Sequence, residues 1–514
     1  MEYFDSDLHH NYNILISSLG EKINIKTTFF SEFKKSELKK RLIQKIDFDL
    51  FRSYGNFVNK RIRNGLTPFP ELNGVLNIKD FTIDFNNDKF KISIKLFIKC
   101  SFFFIYNYII LIFQILKIFF IKKVNIDSKN ILLENLFNVS SQISLKDSLD
   151  TISQSKLDIL KEDLLVRGNL GFKVPNDESI VFDKHPFIFL LKNKAFSSKN
   201  LFFLFFEVFI FPLKFFYKCI TNPLLVLLYK DFLIFPVVRF VNKRGKIKSI
   251  IFTTSQIHQQ ELWSRDFEGR KFESHFLNYS NNSNQFIYKK SKYKTHYPWL
   301  KHIVVDNHWV WTEVQKKYYK FLGHLGKSRV VDPILVNFPR ILTNKHSNDL
   351  YIAIFDIPSF RFSFIKKHGI INFYYSLQNN SKFYNDIINV VDELQLYFGL
   401  NIKILLKPKR GSQKIYYSKG LKYISELSKS NNNFETVSHD TNIYSLISNS
   451  LCSISIPYTG TASVSSFLNK PSIYYDASNM LAKPDLCDEN IEYIYSKELL
   501  KQSLKKIISN KINN

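Results

Sequence analysis

From Gly245 onward, short runs of β-branched and apolar residues alternate with amphipathic segments. Runs such as LYIAIF at 350–355 and IKILLK at 402–407 are typical of strands buried on both faces of a parallel sheet. Between them, FYNDIINVVDELQLYFGL at 383–400 carries apolar residues three and four positions apart, which predicts a helix. The alternation of strands and helices predicts an α/β fold with a doubly wound parallel sheet.

The first half of the chain contains two strongly apolar regions. Residues 101–116 read SFFFIYNYIILIFQIL without a charge, and residues 201–240 combine Phe and Leu with scattered lysines and prolines. Lysines interleaved with phenylalanines favour helices that lie at a membrane surface. A true span, which needs about 20 apolar residues, and plain core helices are the alternatives. We also expect a basic helix from Ser31 to Arg63 and polar helices over 126–170.

Composition narrows the class of protein. The 514 residues are 45% hydrophobic, which excludes a disordered chain. Four widely separated cysteines exclude a disulfide scaffold and a zinc signature, and they fit a reducing compartment. The net charge of +27 comes from 72 basic residues, of which only 13 are arginine. We attribute most of it to a lysine-rich coding bias, so we expect no nucleic-acid partner.

The first residues are acidic where a secretory signal would be positive. We therefore expect a cytoplasmic protein associated with the inner face of the cell membrane.

Polar residues follow several predicted strands, at the edge where open α/β sheets bind ligands. The loop PYTGTAS at 457–463 has a glycine that admits a close ligand and a helix start that offers N–H groups to phosphate. Lys407, Lys409 and Arg410 follow another strand, and DIP at 356–358 and SHDT at 438–441 follow two more. The glycine loop and the cations together predict a diphosphate site. Taken singly, each also fits an ordinary helix cap or a solvated charge cluster.

The stretch SLISNSLCSISIPYTGTASVSSFLNKPSIYYDAS at 445–478 resembles the nucleotide-sugar half of GT-B glycosyltransferases, in particular bacterial capsule and surface-polysaccharide biosynthesis proteins. WVWTEVQKKYYKFLG at 309–323 and VVDPILV at 330–336 resemble the segment that joins the two halves of such proteins. Residues 250–282 are similar to the last part of the acceptor half. The resemblance implies a fold of two Rossmann-like domains, the first enlarged here by apolar, membrane-associated helical insertions.

The resemblance also implies roles for individual residues. The donor diphosphate would be held by the glycine loop, and the cations would neutralise the leaving nucleotide, whose base or ribose would lie near the SHDT loop. The predicted donor-binding residues are Lys407, Lys409, Arg410, His439, Asp440, Tyr458, Thr459, Gly460, Thr461 and Ser463. Such enzymes often use these groups in place of a metal, so we expect no metal and no cofactor beyond the nucleotide-sugar substrate.

Sugar transfer needs a base for the acceptor hydroxyl, and the loop after the predicted strand KIKSIIFTTS at 246–255 supplies candidates. They are His258, Glu261 and Asp266, although His258 also fits a merely polar loop residue. Arg265 and Arg270 are predicted to bind an anionic acceptor. Another group, Asp306, His308, Trp309 and Trp311, is equally well explained as a packed aromatic corner.

These observations predict an acceptor-side domain over 1–335 with membrane-proximal segments at about 96–121 and 201–240. A nucleotide-sugar domain over 336–495 and a terminal amphipathic helix over 496–514 follow it. The predicted function is transfer of a sugar from a nucleotide sugar to a membrane-proximal glycan or lipid-linked acceptor in surface-polysaccharide synthesis. A polyol-phosphate transferase, a nucleotide-sugar epimerase of the same fold, and a non-catalytic membrane scaffold of a glycan-assembly complex are the alternatives.

Overall fold

A computed structural model describes most of the chain. The described residues are 4–23, 33, 35–64, 75–87, 89–121, 131–134, 164–167, 181–183, 186–252, 260–265, 267–278, 288–289, 303–324, 326–334, 350–357, 359, 373–409, 418–439, 441–483 and 490–513. The predicted domain boundary at 335–336 lies outside them and stays a prediction.

The N-terminal part contains two helices, a small antiparallel sheet and a long apolar helix. These elements are α1 (Phe4–Lys22), α2 (Lys35–Arg63), β1 (Val75–Ile78), β2 (Phe81–Asp84), β3 (Lys89–Ile92) and α3 (Ile94–Phe119). The predicted basic helix is confirmed as α2. One face of this helix is apolar, because Leu38, Leu42, Ile46 and Leu50 form a buried stripe at helical spacing. This stripe joins α2 to the core of the first half.

The first large sheet has seven strands, all parallel, in the order β10-β9-β8-β7-β4-β5-β6. The strands are β4 (Ile131–Glu134), β5 (Leu164–Arg167), β6 (Val181–Asp183), β7 (Ser249–Phe252), β8 (Glu273–Leu277), β9 (Asn307–Val310) and β10 (Lys327–Val330). Its helices are α4 (Pro186–Leu190), α5 (Ser198–Thr221), α6 (Tyr229–Leu233), α7 (Phe235–Lys243) and α8 (Glu313–Phe321), and a 3-10 segment covers Pro223–Leu228.

The second large sheet has six strands, also all parallel, in the order β13-β12-β11-β14-β15-β16. The strands are β11 (Leu350–Phe355), β12 (Ile402–Lys407), β13 (Phe434–Thr436), β14 (Ser453–Ser455), β15 (Ser472–Tyr475) and β16 (Ile491–Ile494). Its helices are α9 (Leu377–Phe398), α10 (Ser418–Ser430), α11 (Ile443–Ser448), α12 (Gly460–Phe467) and α13 (Lys497–Asn513). Leu500, Leu504 and Ile508 of α13 enter the core of this sheet.

In both sheets the chain enters at a central strand and adds strands toward one side. It then returns to the centre and adds strands toward the other side. In order of chain position, the second sheet reads 3-2-1-4-5-6, and the first adds a seventh strand to the same pattern. This is the strand order of a Rossmann-like fold. The predicted class, two Rossmann-like α/β domains with apolar helices added to the first half, is therefore confirmed.

The prediction of polar helices over 126–170 is wrong where the structure describes that region. Residues 131–134 and 164–167 form β4 and β5, which pair with each other near the centre of the first sheet. Their sequences, ILLE and LLVR, are three apolar residues followed by one charged residue, inside a polar stretch. Helical spacing in the flanking residues hid them, because a run this short carries no periodicity of its own.

Candidate functional site

The carboxyl ends of three neighbouring strands meet at the middle of the second sheet. β11 pairs with β12 on one side and with β14 on the other, so that Phe355 is the register partner of both Lys407 and Ser455. Open α/β sheets bind ligands at this point, where the winding direction reverses. We call the residues that follow these three ends, 356–357, 408–409 and 456–461, the switch-point loops.

Asp356 is buried directly after β11, at the centre of the switch-point loops. The Tyr384 hydroxyl of α9 donates a hydrogen bond to its Oδ2 at 2.6 Å. Burial raises the pKa of Asp356, and the hydrogen bond from Tyr384 and the nearby Lys409 partly oppose that rise. The sequence marked Asp356 only by its place after a strand. Tyr384 carried no signal, since it reads as one more ring on a core helix.

The Asn380 side chain of α9 adds a second tie to the same loop, because its amide donates to the Ile357 carbonyl at 2.8 Å. Helix α9 therefore fixes the first switch-point loop through two side chains one helical turn apart. A loop held in this way keeps its shape when a ligand enters or leaves.

Lys407 is the last residue of β12, and its side chain is buried. Its ammonium group donates to the His439 backbone carbonyl at 2.6 Å, which ties the end of β12 to the segment before α11. Lys409, two residues on, is exposed. Lys407 therefore positions a loop, while Lys409 is accessible to a ligand. Arg410 and Asp440 lie outside the described residues.

The loop after β14 has a backbone conformation that is costly for its sequence. Tyr458 has a φ of 66°, in the left-handed region that favours glycine. Its ring is buried against Tyr474, whose hydroxyl donates to the Thr459 carbonyl at 2.9 Å. Non-glycine residues in this region concentrate at functional sites, where surrounding contacts hold the strain.

Helix α12 begins at the end of this loop. Thr459 is its N-cap residue, but the Thr459 side chain makes no capping bond. Its hydroxyl donates instead to the Ile456 carbonyl at 3.0 Å, and it lies 3.2 Å from the Thr461 hydroxyl. The Thr459 side chain therefore does not cap the first N–H groups of the helix, and this end of a helix attracts anions. Ser463 is buried one turn further on.

The structure thus places Lys407, Lys409, His439 and residues 458–461 at the carboxyl-terminal ends of strands in the second sheet. The sequence predicted a donor site at this position. Their predicted roles in binding a nucleotide sugar stay predictions. Within the described residues, no group of three or more His, Cys, Asp or Glu side chains is arranged to hold a metal ion.

The predicted acceptor-side residues lie elsewhere. His258 and Asp266 are outside the described residues. Glu261 follows Gln260, whose side chain exchanges two hydrogen bonds with the backbone of Val304, just before the amino end of β9. The chain has therefore returned from the carboxyl end of β7, and the described part of this loop lies beside the amino-terminal ends of the strands.

Arg265 is completely buried in a polar network between the helices of the first half. Its guanidinium group donates to Gln44 and lies 3.9 Å from Glu37, beside the ion pair between Arg41 and Asp231. Burial, followed by repulsion from Arg41, lowers the pKa of Arg265 to about 9. This placement gives Arg265 a structural role and does not support the acceptor role, which stays a prediction.

Arg270 also lies at the amino edge of the first sheet. It pairs with Asp306 at 2.7 Å, and the Asp306 carboxylate accepts from the Ser274 backbone N–H at 2.7 Å. These bonds join the segments that enter β8 and β9. Anionic-acceptor binding by Arg270 likewise stays a prediction that its position does not support.

The remaining group is an aromatic corner. His308 is buried against Tyr319 and His324, at ring-centroid distances of 5.0 and 4.8 Å. Trp309 donates to His275 at 3.1 Å, and Trp311 donates to the Asn278 carbonyl at 2.6 Å. Of the two explanations open from the sequence, packing accounts for these contacts.

A family model matches residues 211–504, more than half of the chain, and its description is polysaccharide biosynthesis PFTS motif protein. The protein belongs to this family. The resemblance to polysaccharide biosynthesis proteins is thereby confirmed. The matched range begins inside α5 and includes all six strands of the second sheet, and therefore the whole switch point. No curated protein matches the chain.

Solved structures with similar folds include three with sugar-related names. Alr3699/HepE of Anabaena, in complex with UDP and glucose, is 10% identical, with 74% of this chain and 90% of that chain covered at a TM-score of 0.36. The lipopolysaccharide outer core galactosyltransferase WaaB is 11% identical, covering 74% and 91% at 0.37. A UDP-forming trehalose-phosphate synthase from Burkholderia vietnamiensis is 9% identical, covering 76% and 91% at 0.37. At these scores the likenesses carry no argument, and the fold rests on the strand order.

Proposed function

We propose that this family member is a GT-B glycosyltransferase that moves a sugar from a nucleotide sugar to a glycan or lipid-linked acceptor at the cytoplasmic face of a membrane. The observation that carries the proposal is the switch point of the second sheet. A strained loop and a helix start without a side-chain cap follow β14, and an exposed lysine follows β12, the two strands that flank β11. Such an arrangement suits a diphosphate. Membership of a polysaccharide biosynthesis family supports the sugar chemistry.

The loop before α12 is the core of the proposed donor site. Pro457, Tyr458 and Thr459 have the proline, aromatic ring and threonine that the letters PFTS spell, with Gly460 in the place of serine. We therefore take residues 457–460 as the counterpart of the motif in the family name. The strained backbone at Tyr458 aims the following N–H groups at the ligand, and Gly460 leaves room for close approach.

In the proposed reaction, the acceptor hydroxyl attacks the anomeric carbon while the bond to the nucleotide diphosphate breaks. The diphosphate leaves with an added negative charge, which the first N–H groups of α12 and the Lys409 ammonium group would stabilise. Ser463 and His439 would complete the donor pocket. A base must accept the hydroxyl proton, and His258 is the candidate nearest in sequence to the carboxyl end of β7. Asp266 stays a candidate, whereas the place of Glu261 beside the amino ends of the strands does not support this role.

The test is release of the nucleotide from UDP-, GDP-, CDP- and ADP-sugars by purified protein with membrane extract, together with direct binding of the free nucleotides. We expect turnover with one donor and loss of nucleotide binding in Thr461→Val. The control is Thr436→Val, a threonine on the edge strand β13. A phosphodiester product or an epimerised donor would replace this proposal with a related chemistry. Absence of both binding and turnover would leave a scaffold role.

A further inference from the structure

The exposed side of two helices in the first half is largely apolar, with lysines near the helix ends. Helices α3 and α5 are long and apolar enough to cross a membrane by length and composition. Their exposed large apolar residues are Ile94, Ile98, Phe102, Phe103, Ile105, Tyr106, Ile109, Ile110, Phe113 and Phe119 on α3 and Phe202, Phe203, Phe206, Phe209, Leu213, Tyr217 and Ile220 on α5. We call this set the outer face. Contiguous apolar surface on this scale marks an interaction site.

The inner face of the same helices is covered by the protein. Cys100, Phe104, Tyr108, Leu111, Ile115 and Ile118 of α3 and Leu201, Leu204, Val208, Phe211, Phe215 and Cys219 of α5 are buried. They repeat every three or four residues, as in a helix with one buried stripe. Phe211 and Phe215 pack on Phe232 of α6, so the pair rests on the body of the domain.

The two helices run antiparallel. Phe104 contacts Phe215 with ring centroids 4.4 Å apart, while Tyr108, one turn later, stacks on Phe211, one turn earlier. The inner faces therefore form a seam that is covered from one end to the other. If the two helices crossed the bilayer, the part of the domain that packs on their inner faces would also enter the lipid. That part includes the buried ion pair between Arg41 and Asp231. Burying such groups in hydrocarbon is costly.

Helix α3 also supplies a hydrogen bond to a carbonyl of α5 that has no partner within its own helix. Pro212 has no N–H, so the Val208 carbonyl, four residues before it, loses its helical partner. The Tyr108 hydroxyl of α3 donates to that carbonyl at 2.8 Å. A helix next to lipid must satisfy its carbonyls within the protein, and this bond does so.

The net charge of the two helices is positive. Together they carry six lysines and one glutamate, and Glu207 is paired with Arg239. The antiparallel arrangement brings Lys95 and Lys99, at the start of α3, to the same end as Lys214 and Lys218, near the end of α5. A row of phenylalanines with ammonium groups at its ends complements the acyl boundary and the headgroups of an anionic bilayer.

We propose that the outer face of α3 and α5 lies flat in one leaflet of an anionic bilayer, as a monotopic platform and not as a span. The inference rests on the membrane setting of the proposed function and adds the orientation and depth of the contact. Both helices lie parallel to the surface with their phenylalanines about 5–10 Å below it. The covered inner seam faces the cytoplasm with the rest of the domain.

The first experiment measures flotation of the full chain with vesicles of phosphatidylglycerol and phosphatidylethanolamine, against phosphatidylcholine alone. Phe113→Glu with Phe206→Glu should reduce binding to the anionic vesicles by on the order of a hundredfold, because both side chains are more than half exposed and face the lipid. The matched control is Leu396→Glu, an 88% exposed leucine on α9 of the second sheet, which should bind as the wild type does. Lys95→Glu with Lys99→Glu should lower binding to anionic vesicles by about fivefold per lysine.

The second experiment separates a flat platform from a span. Tryptophan replaces Ile94, Tyr106 or Phe119, at the start, middle and end of α3, and quenching beyond that of the wild type is measured with lipids brominated at different acyl depths. A platform predicts similar shallow depths for all three positions. A span predicts a deep position near the helix middle and shallow positions near its ends, and that result would overturn the proposal.

A second copy of the chain is the competing occupant of the outer face. A lipid-free dimer that Phe113→Glu with Phe206→Glu converts to a monomer, without any vesicle binding by the wild type, would also overturn the proposal. Nucleotide binding is measured on the same samples. Because the donor site lies in the other sheet, loss of vesicle binding with nucleotide binding retained would reject the platform and leave the proposed transferase standing.

Discussion

The two large sheets have the same winding order but differ in where their polar groups lie. Apart from Ser463, which is eight residues beyond β14, the described candidate residues of the second sheet come within six residues of a strand end and stay at the carboxyl ends of the strands. In the first sheet, Glu261 and Arg265 follow β7 by nine and thirteen residues, and the loop has by then returned to the amino edge. Strand-end reasoning therefore locates a site only over short loops, because a long loop can carry its residues to the other side of the sheet.

The largest expected effect tests whether Arg265, in the first half of the chain, stabilises the fold. Arg265→Ala should lower the free energy of unfolding by about 3–5 kcal/mol, because it takes a buried guanidinium group out of the network with Glu37, Gln44 and the Arg41–Asp231 pair. Thermal unfolding measures it, and Arg265→Met, which restores volume without charge, should be less destabilised. Wild-type stability combined with lost acceptor use would instead return Arg265 to the acceptor site.

The next prediction concerns the carboxyl edge of the second sheet. Lys409→Ala should reduce sugar transfer by about a hundredfold, near 2.7 kcal/mol of transition-state stabilisation, because an exposed cation beside the leaving diphosphate is lost. Steady-state kinetics with the preferred donor measures it. The control is Lys403→Ala, a lysine within β12 that is paired with Glu435 at 3.3 Å, and it should keep its activity. Equal losses in both would remove the distinction between the two positions.

Tyr384→Phe tests whether α9 holds the switch-point loop. It removes the donor to buried Asp356 and should cost about 1–3 kcal/mol of stability, together with weaker nucleotide binding. Denaturant titration and nucleotide titration follow the two effects. Tyr423→Phe removes an exposed hydroxyl bonded to Asn385 at 3.0 Å and should change neither. Unchanged nucleotide binding in Tyr384→Phe would show that the Asp356 loop lies outside the donor site.

The smallest effect is a pH dependence in the first sheet. Burial, followed by repulsion from His324, lowers the pKa of His308 from 6.5 to about 3. The unfolded chain therefore takes up this proton first, so the free energy of unfolding should fall by about 1.4 kcal/mol per unit as the pH drops below about 6.5. The loss ends near the folded pKa, and above 6.5 His308 adds no slope. Denaturant titration from pH 7.5 to 5 should show this slope in the wild type and a shallower one in His308→Phe.

Sequence patterns predicted the second sheet better than the first for a physical reason. β11 and β12 are six-residue apolar runs flanked by long helices, so their periodicity is plain. β13, with the sequence FET, has only three residues, two of them exposed, so no apolar run marks it as a strand. β4 and β5 pair through backbone bonds across a long sequence separation, which no local pattern records.

The apolar helices show a different limit. Both faces of α3 are apolar in sequence, so composition alone left core, surface and span as alternatives. Packing separates the faces, because only one stripe is covered. Tyr384 shows the same limit at the donor site, since its ring reads as core while its hydroxyl acts on Asp356. Long-range partners of this kind appear only after the chain is folded.

The seam between α3 and α5 also has a consequence for synthesis of the protein. Tyr108 and the Val208 carbonyl that it satisfies are 100 positions apart in the chain. At about 5–20 residues per second, the apolar stripe of α3 leaves the ribosome some 5–20 s before its partner helix exists. During that interval α5 cannot cover it. On the proposed platform, this order lets α3 meet a bilayer before the domain has closed.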